Sequence, residues 1–258
     1  DGRADPAADD NCAIGVASQK GHTDVVSLLL KDGRVDPTTV DNYAMQWASH
    51  YGHTGVVSLL LKDGRADPSA DDNEAIQCAS QRGHADVVAL LLKDGRADPA
   101  ADDNYAIRRA SYNGHVDVVS LLLKDGRVDQ AACNYYAMTG ASKNGHAGVV
   151  ALLLKDGRAD PTVDDNDVIQ IASLNDHADV VALLLEDCRA DPTSNDNCSI
   201  RYASECGYTD VVSLLLKDGR ADPTADNNYA IRMASSNGHV DVVSLLLKDG
   251  RADPTADN

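Results

Sequence analysis

The sequence of 258 residues contains no phenylalanine and a single tryptophan, Trp47, and aromatic residues make up only 4% of it. Hydrophobic residues nevertheless account for 43% of the chain. The core must therefore be built from Val, Leu, Ile and Ala. Side chains of this size suit thin, regularly packed helical layers better than a wide globular centre.

Positive charge and long apolar runs are also scarce. The chain has 23 Lys and Arg against 41 Asp and Glu, which gives a formal net charge of −18. Such a chain is repelled by phosphate backbones and by anionic lipid surfaces. The longest apolar runs, such as residues 25–30, are far shorter than the roughly 20 residues of a membrane span. We therefore expect neither a nucleic acid nor a membrane as a partner.

The cysteines do not recur at the paired positions that a disulfide framework would need. We expect free thiols in a reducing compartment, and hence a cytoplasmic protein. A bridge between Cys198 and Cys206 is the alternative. The six cysteines are Cys12, Cys78, Cys133, Cys188, Cys198 and Cys206.

A 31-residue period is the strongest signal in the sequence. The dipeptide Gly-His, or a close variant of it, recurs at that interval from residues 21–22 to residues 238–239 without any insertion. A fixed period of this length is typical of a stacked repeat array. We predict one array over residues 1–258, in which a partial repeat, 1–10, is followed by full repeats at 11–41, 42–72, 73–103, 104–134, 135–165, 166–196, 197–227 and 228–258.

Each repeat is expected to form two short helices. In the last repeat, Asn228 can cap the first helix and Gly238 can end it. Asp241 falls in the first turn of the second helix, where the helix dipole stabilises a negatively charged carboxylate. Lys248 falls in its last turn, and Gly250 follows as the stop.

Neither helix can hide its own apolar surface. Residues 242–247 carry Val and Leu on more than one face, so this helix must lie between neighbours. Stacking of repeats supplies the missing core. We therefore predict an all-α solenoid of eight stacked helix–turn–helix repeats with short connecting loops. One position is always alanine, which indicates close helix–helix approach: Ala17, Ala48, Ala79, Ala110, Ala141, Ala172, Ala203 and Ala234.

Residues 229–239, Tyr-Ala-Ile-Arg-Met-Ala-Ser-Ser-Asn-Gly-His, resemble the Thr-Pro-Leu-His-x-Ala-Ala-x-x-Gly-His motif of ankyrin repeats. Residues 240–247 resemble the second helix of that family. The resemblance covers essentially the whole chain and implies an ankyrin-like solenoid that acts in protein–protein interaction. The repeat is two residues shorter than is usual in the family, and the loss falls in the connecting loop. We therefore expect a tight turn in place of the family's β-hairpin finger.

Two ladders of residues raise the question of metal binding. One His per repeat, about 10 Å from the next, cannot build a zinc site with ligands at about 2.0–2.1 Å; the resemblance implies a structural role in the turn between helices. The Asp-rich loops offer clustered oxygens for calcium, but an Arg such as Arg34 stands in every loop. We expect alternating salt bridges between adjacent turns and no metal or cofactor, with calcium as the alternative.

Nothing in the chain indicates catalysis. The Ser, His and Asp residues belong to repeated positions, and no Gly-rich phosphate loop or His-Glu-x-x-His motif is present. We therefore predict a protein that is not an enzyme.

Positions that vary between repeats are the candidates for partner binding. The resemblance places the two positions before the Gly-His on the concave face, and the position after the leading Asn is similarly mixed. Tyr and Arg at such positions are typical interface anchors, although neutral drift explains the variation equally well. The predicted partner-binding residues are Lys20, Tyr43, Trp47, His50, Tyr51, Gln81, Arg82, Tyr105, Arg109, Tyr112, Asn113, Lys143 and Asn144.

Two functions remain open at this point. The first is a scaffold whose acidic concave surface binds a partner protein, with a basic protein as the matching partner. The second is a self-assembling structural array, because the terminal repeats lack the polar outer face that usually caps a solenoid. Copies stacked end to end would form a filament, which could also be extracellular.

Overall fold

The computed structural model describes residues 5–128 and 131–252, without the side chains of Asp10 and of residues 131–134. The start of the predicted partial repeat and the Cys133 thiol therefore lie outside the described residues. The chain divides into two compact units, Asp1–Asp129 and Gln130–Asn258. Every regular element among the described residues is an α-helix.

The helices come in pairs, a first helix of 12 or 13 residues and a second of 10 residues. The first helices are α1 Ala8–Gln19, α3 Thr39–His50, α5 Ala70–Arg82, α7 Ala101–Tyr112, α9 Ala131–Lys143, α11 Val163–Leu174, α13 Ser194–Cys206 and α15 Ala225–Ser236. The second helices are α2 Thr23–Asp32, α4 Thr54–Asp63, α6 Ala85–Asp94, α8 Val116–Asp125, α10 Ala147–Asp156, α12 Ala178–Asp187, α14 Thr209–Asp218 and α16 Val240–Asp249.

Two helical layers run through each unit. In residues 1–129, the first helices α1, α3, α5 and α7 pack in series, and the second helices α2, α4, α6 and α8 form a parallel series. In residues 130–258, α9 to α15 and α10 to α16 repeat the arrangement. The predicted all-α solenoid with short connecting loops is confirmed.

The core consists of small aliphatic side chains from both layers. In the fourth pair of helices, Ala110 and Ile107 of α7 and Val118, Val119 and Leu122 of α8 all have 0% exposure. The invariant alanine position is buried in all eight pairs, with 5% exposure at Ala17 and 0% elsewhere. These positions are the ones that the sequence assigns to close helix contacts.

The second helix begins and ends as the sequence predicts. Asp241 lies in the first turn of α16 and Lys248 in its last turn. Gly250 ends the helix with φ 81°, in the left-handed region that glycine enters at little cost. Cys188 occupies the same position after α12 with φ 64°.

The connecting loop shows that the predicted role of the leading Asn is wrong. Asn228 has φ 56° and ψ 37°, whereas a helix N-cap normally has extended backbone. It is the last of three consecutive left-handed residues. Asp71, Asp72 and Asn73 form the equivalent triplet, with φ 51°, 50° and 69°. Among residues other than glycine, Asn and Asp tolerate this conformation best, which explains why they fill the loop.

The leading Asn instead ties one loop to the next. The side-chain oxygen Oδ1 of Asn73 accepts the backbone N–H of Asp98 at 2.6 Å. Because the two residues are 25 positions apart, the bond joins neighbouring repeats. The same bond joins Asn11 to Asp36, Asn42 to Asp67, Asn166 to Asp191 and Asn197 to Asp222.

The prediction of salt bridges between adjacent turns is also wrong. Arg65 pairs with Asp63 of its own turn, with 2.7 Å between Nε and Oδ1. The hydrogen bond from Arg65 and its charge lower the pKa of the Asp63 carboxyl. Arg65 reaches the preceding repeat by donating Nη1–H to the backbone carbonyl of Val35 at 2.9 Å. The neighbouring turns are therefore linked through a main-chain oxygen.

The histidine ladder provides a third link between repeats. Nε2 of His84 lies 3.0 Å from the carbonyl oxygen of His50, to which it donates its hydrogen. The His84 ring rests on Gly52, where an added Cβ would lie 2.6 Å from Nδ1. Where Asp176 replaces this glycine, the residue 32 positions later is Tyr208 instead of His. The two exceptions, Asp176 and Tyr208, thus occupy the two positions that face each other in the His–Gly contact of the other repeats.

A candidate partner-binding face on the first helices

The exposed side of α1, α3, α5 and α7 forms what we call the first-helix face. On α5, Ala75, Ile76 and Ala79 point into the core with at most 2% exposure. Gln77 and Ser80 are buried as well, whereas Gln81 is half-buried and Arg82 is exposed. The predicted binding residues of residues 1–129 lie on this face, at the positions that vary between repeats.

Four aromatic side chains of α3 form one cluster on this face. The Trp47 ring lies 5.4 Å from Tyr43, 5.3 Å from His50 and 5.6 Å from Tyr51, measured between ring centroids. Trp47 and Tyr51 are stacked, with 21° between their planes. Tyr51 is 47% exposed and the other three side chains are half-buried, so the cluster reaches solvent mainly through Tyr51.

Arg109 and two tyrosines form a second cluster on α7. The Arg109 guanidinium carbon lies 5.4 Å from the ring centroid of Tyr105 and 5.8 Å from that of Tyr112. Both distances are within the range of cation–π attraction. Nε of Arg109 is buried and has no hydrogen-bond partner among the described residues.

Helix α5 lies between these clusters and carries a polar group. The Cys78 thiol donates to Oε1 of Glu74 at 2.8 Å, and burial, reinforced by that carboxylate, raises the pKa of Cys78 to about 12. The thiol is therefore unreactive at neutral pH. Burial, and secondly the charge of Arg82, lowers the pKa of His50. The imidazole of His50 is thus neutral beside the exposed Arg82.

Helix α1 completes the face with Lys20, which is exposed just after the helix end. A mostly apolar cleft of about 270 Å³ opens between α1 and α3, lined by Ile14, Gly15, Val16 and Tyr43 among others. The equivalent position of Gly15 in α3 is Gln46, which bonds to the carbonyl of Asp41. At Gly15 the Tyr43 ring packs close to the backbone, since an added Cβ would lie 3.0 Å from its Cδ1 atom.

The family model described as ankyrin repeats, three copies, matches residues 14–103, 65–132, 107–196 and 169–258. The chain belongs to the ankyrin-repeat family. Ankyrin repeats are generally protein–protein interaction modules, and proteins of the family are generally non-enzymatic scaffolds. No curated protein matched the sequence.

Two predicted binding residues of these ankyrin repeats have bonding roles inside the fold. Asn113 donates Nδ2–H to the carbonyl of Gln81 at 3.1 Å and so links α7 to the preceding repeat. Asn144 donates to Gly140 in its own helix, α9, at 2.8 Å. Lys143, beside it, is exposed. Lys143 and Asn144 belong to residues 130–258, whereas the other predicted residues belong to residues 1–129.

The second group of ankyrin repeats contains an arginine cluster that the sequence reasoning missed. The Arg201 guanidinium carbon lies 5.0 Å from the Tyr229 ring centroid and 5.8 Å from that of Tyr202. It also pairs with Asp226 at 3.2 Å. Tyr229 donates to Oε2 of Glu205 at 2.7 Å. The signal was available, because Arg201 and Tyr229 occupy variable positions in neighbouring repeats.

Charge is unevenly distributed around the first-helix face. Residues 12–20, 43–51, 74–82 and 105–113 together carry four basic side chains and only one acidic side chain, Glu74. The loop aspartates Asp71, Asp72, Asp102 and Asp103 are exposed at the opposite end of the same helices. The acidity of the chain thus lies along the border of the face.

No group of three or more His, Cys, Asp or Glu in residues 5–128 and 131–252 is arranged to hold a metal ion. Five cysteines, all but Cys133, are free thiols. None of the described helices combines the length and the apolar character that crossing a bilayer requires.

Proposed function

We propose that the protein is a non-enzymatic scaffold that binds a partner protein on the first-helix face of residues 1–129. The observation that carries this proposal is the pair of clusters that reach the surface at exposed tyrosines, Tyr51 beside Trp47 and Tyr112 beside Arg109. Trp, Tyr and Arg dominate the binding energy of known interfaces. Solvent-exposed aromatic surface of this kind stabilises the fold little, so its value lies in contact with another molecule.

The test uses partners isolated on the immobilised full chain and their dissociation constants measured by calorimetry. We expect Tyr51→Ala, Tyr112→Ala and Arg82→Ala each to weaken binding about tenfold or more, the effect of losing an interface anchor. Lys93→Ala, an exposed substitution on the second-helix layer, is the control and should leave affinity unchanged. Equal affinity for all four variants would remove the assignment.

Self-association is a second candidate, favoured by one observation on α2. Val25 is 45% exposed and Leu28 is 69% exposed, whereas Val56, the equivalent of Val25 in the next repeat, is fully buried. This surface of α2 would be covered by another helix pair. Sedimentation that depends on protein concentration, and that Leu28→Lys abolishes, would support an end-to-end filament; a monomer at all concentrations would exclude it.

The net charge of −18 favours a basic partner when the molecule is considered as a whole. A basic protein would approach the acidic loop border first. A reducing, cytoplasmic location agrees with the free thiols at the five described cysteines.

A further inference from the structure

Within the first-helix face, the C-terminal halves of α1, α3, α5 and α7 present one continuous set of side chains, which we call the cationic strip. It combines cations with aromatic rings on neighbouring helices. The strip consists of Lys20, Trp47, Tyr51, Arg82, Arg109 and Tyr112.

The cations of the strip have no carboxylate partners among the described residues. The loop arginines, in contrast, are each paired with an aspartate two positions earlier, as Arg96 is with Asp94 at 2.7 Å. The Arg109 guanidinium lies over the rings of Tyr105 and Tyr112. The guanidinium and ammonium groups of the strip are therefore available to bind carboxylates.

The acidic border is too far away to cancel this local charge. The regular part of α5 from residue 74 to Arg82 alone spans about 12 Å at 1.5 Å per residue, and Asp72 lies before it, in the left-handed triplet. The Debye length at physiological salt is about 8 Å. A segment lying on the strip is thus largely screened from the loop aspartates, whereas it contacts the cations directly.

One carbonyl near the C-terminal end of each of α3 and α5 accepts a hydrogen bond from the histidine ladder. Carbonyl groups at a helix C-terminus repel carboxylates. Here the carbonyl of His50 accepts Nε2–H of His84 at 3.0 Å, and that of Gln81 accepts Nε2–H of His115 at 2.9 Å. The histidine ladder thus satisfies one of the oxygens at each of these helix ends, which reduces their repulsion of an anionic partner.

We propose that the cationic strip docks an acidic peptide segment that carries an apolar anchor for Trp47 and Tyr51. This inference rests on the proposed function and names the chemistry of the segment that contacts the first-helix face, whereas the net charge of −18 acts on the partner protein as a whole. Arg82 and Arg109 bind carboxylates of the segment, and the stacked rings of α3 receive the anchor. Four helices about 10 Å apart span about 30 Å, which an extended segment of about nine residues covers.

The test selects binders from a displayed library of random dodecapeptides on the full chain. Peptides that also bind the Trp47→Ala/Tyr51→Ala variant are discarded, so the remaining ones require the rings of the strip, while their net charge is left free. We expect these peptides to be acidic with an aromatic or aliphatic residue. A remainder that is basic or neutral overturns the inference but leaves the proposed function intact. No remaining peptide at all overturns both.

Charge variants then test the cations themselves. The single tryptophan makes Trp47 emission a direct signal of binding at the strip. We expect Lys20→Gln and Arg82→Gln each to weaken a selected acidic peptide about three- to tenfold. Lys93→Gln changes the net charge of the chain by the same amount off the strip and should have no effect. Equal losses for Lys20→Gln and Lys93→Gln would show that only overall charge matters and would overturn the inference.

Discussion

At the scale of single residues, the left-handed triplet of each loop determines which side chains the loop accepts. The first position of the triplet, that of Asp71, is Asp or Asn in every other described triplet except one. In the triplet of residues 40–42 it is a β-branched residue, Val40, with φ 51°. L-residues other than Asn, Asp and Gly pay about 1–2 kcal/mol in this region. Val40 is 63% exposed, so it gains little burial in return.

We expect Val40→Asn to raise the free energy of unfolding by about 1 kcal/mol, measured by urea denaturation. Asn is chosen because it leaves the net charge unchanged. Val163, which is 41% exposed and lies outside the left-handed positions, provides the control substitution Val163→Asn. The same gain in both variants would mean that replacing an exposed apolar side chain, and not relief of backbone strain, is responsible.

At the scale of helix pairs, the contact between Asp176 and Tyr208 is the place where two exceptions compensate each other. In the repeat before, the ring of His177 rests on Gly145, where an added Cβ would lie 2.6 Å from Nδ1. A histidine at residue 208 would meet the side chain of Asp176 in the same way. The two substitutions should therefore be strongly coupled.

We expect Tyr208→His alone to be destabilising and the double variant with Asp176→Gly to be more stable than the sum of the single effects, by about 1 kcal/mol. Unfolding free energies of the four proteins form the double-mutant cycle that measures this coupling. If the single effects add within about 0.3 kcal/mol, the ring of residue 208 does not contact residue 176.

The invariant alanine position sets the spacing between helix layers. Ala110 is 0% exposed between α7 and its neighbours. We expect Ala110→Leu to cost about 1–3 kcal/mol by overpacking, seen as a lower melting temperature. Ala13→Leu, at an exposed position of α1, is the control and should change the melting temperature little. An unchanged melting curve for Ala110→Leu would contradict the close packing.

Much of each element could be predicted from the sequence, because helix packing follows periodicity and glycine stops are local. The helix pairs and the buried alanine position were predicted in this way, whereas the loop without a hairpin was expected because the repeat is shorter than that of the ankyrin family. The bonds between repeats were not predicted. Asn73 looks like a helix cap until the backbone shows it to be left-handed, and Arg65 gives no hint in sequence that its neighbour is a carbonyl. The outward positions of Trp47 and Arg82 were predictable, but the mutual stacking of the rings was not.

At the scale of the whole molecule, the aspartates that pair with arginine make the free energy of unfolding depend on pH. Hydrogen bonds from arginine lower the pKa values of Asp63, Asp94 and Asp187, below the value of about 3.9 in unfolded chains. The folded state therefore favours the ionised carboxylates. Their contribution to stability is complete above about pH 5 and is lost as the pH falls through the folded pKa values.

We expect the urea midpoint to fall between pH 5 and pH 3 when 1 M NaCl screens the repulsion among the remaining carboxylates. Removing the three arginine partners, in Arg65→Gln/Arg96→Gln/Arg189→Gln, should flatten that profile. A profile equally steep in the triple variant would assign the pH dependence to other groups.

The bonds that join neighbouring repeats span 25 residues from Asn73, 30 from Arg65 and 34 from His84. Because each bond closes a chain segment of about one repeat, the entropy lost on loop closure is the same for every copy. The sequence separation of these contacts therefore does not grow as repeats are added, which keeps the relative contact order low. Duplicating a repeat adds one more set of the same short chain loops. Lengthening the array by duplication therefore adds no contact of greater sequence separation.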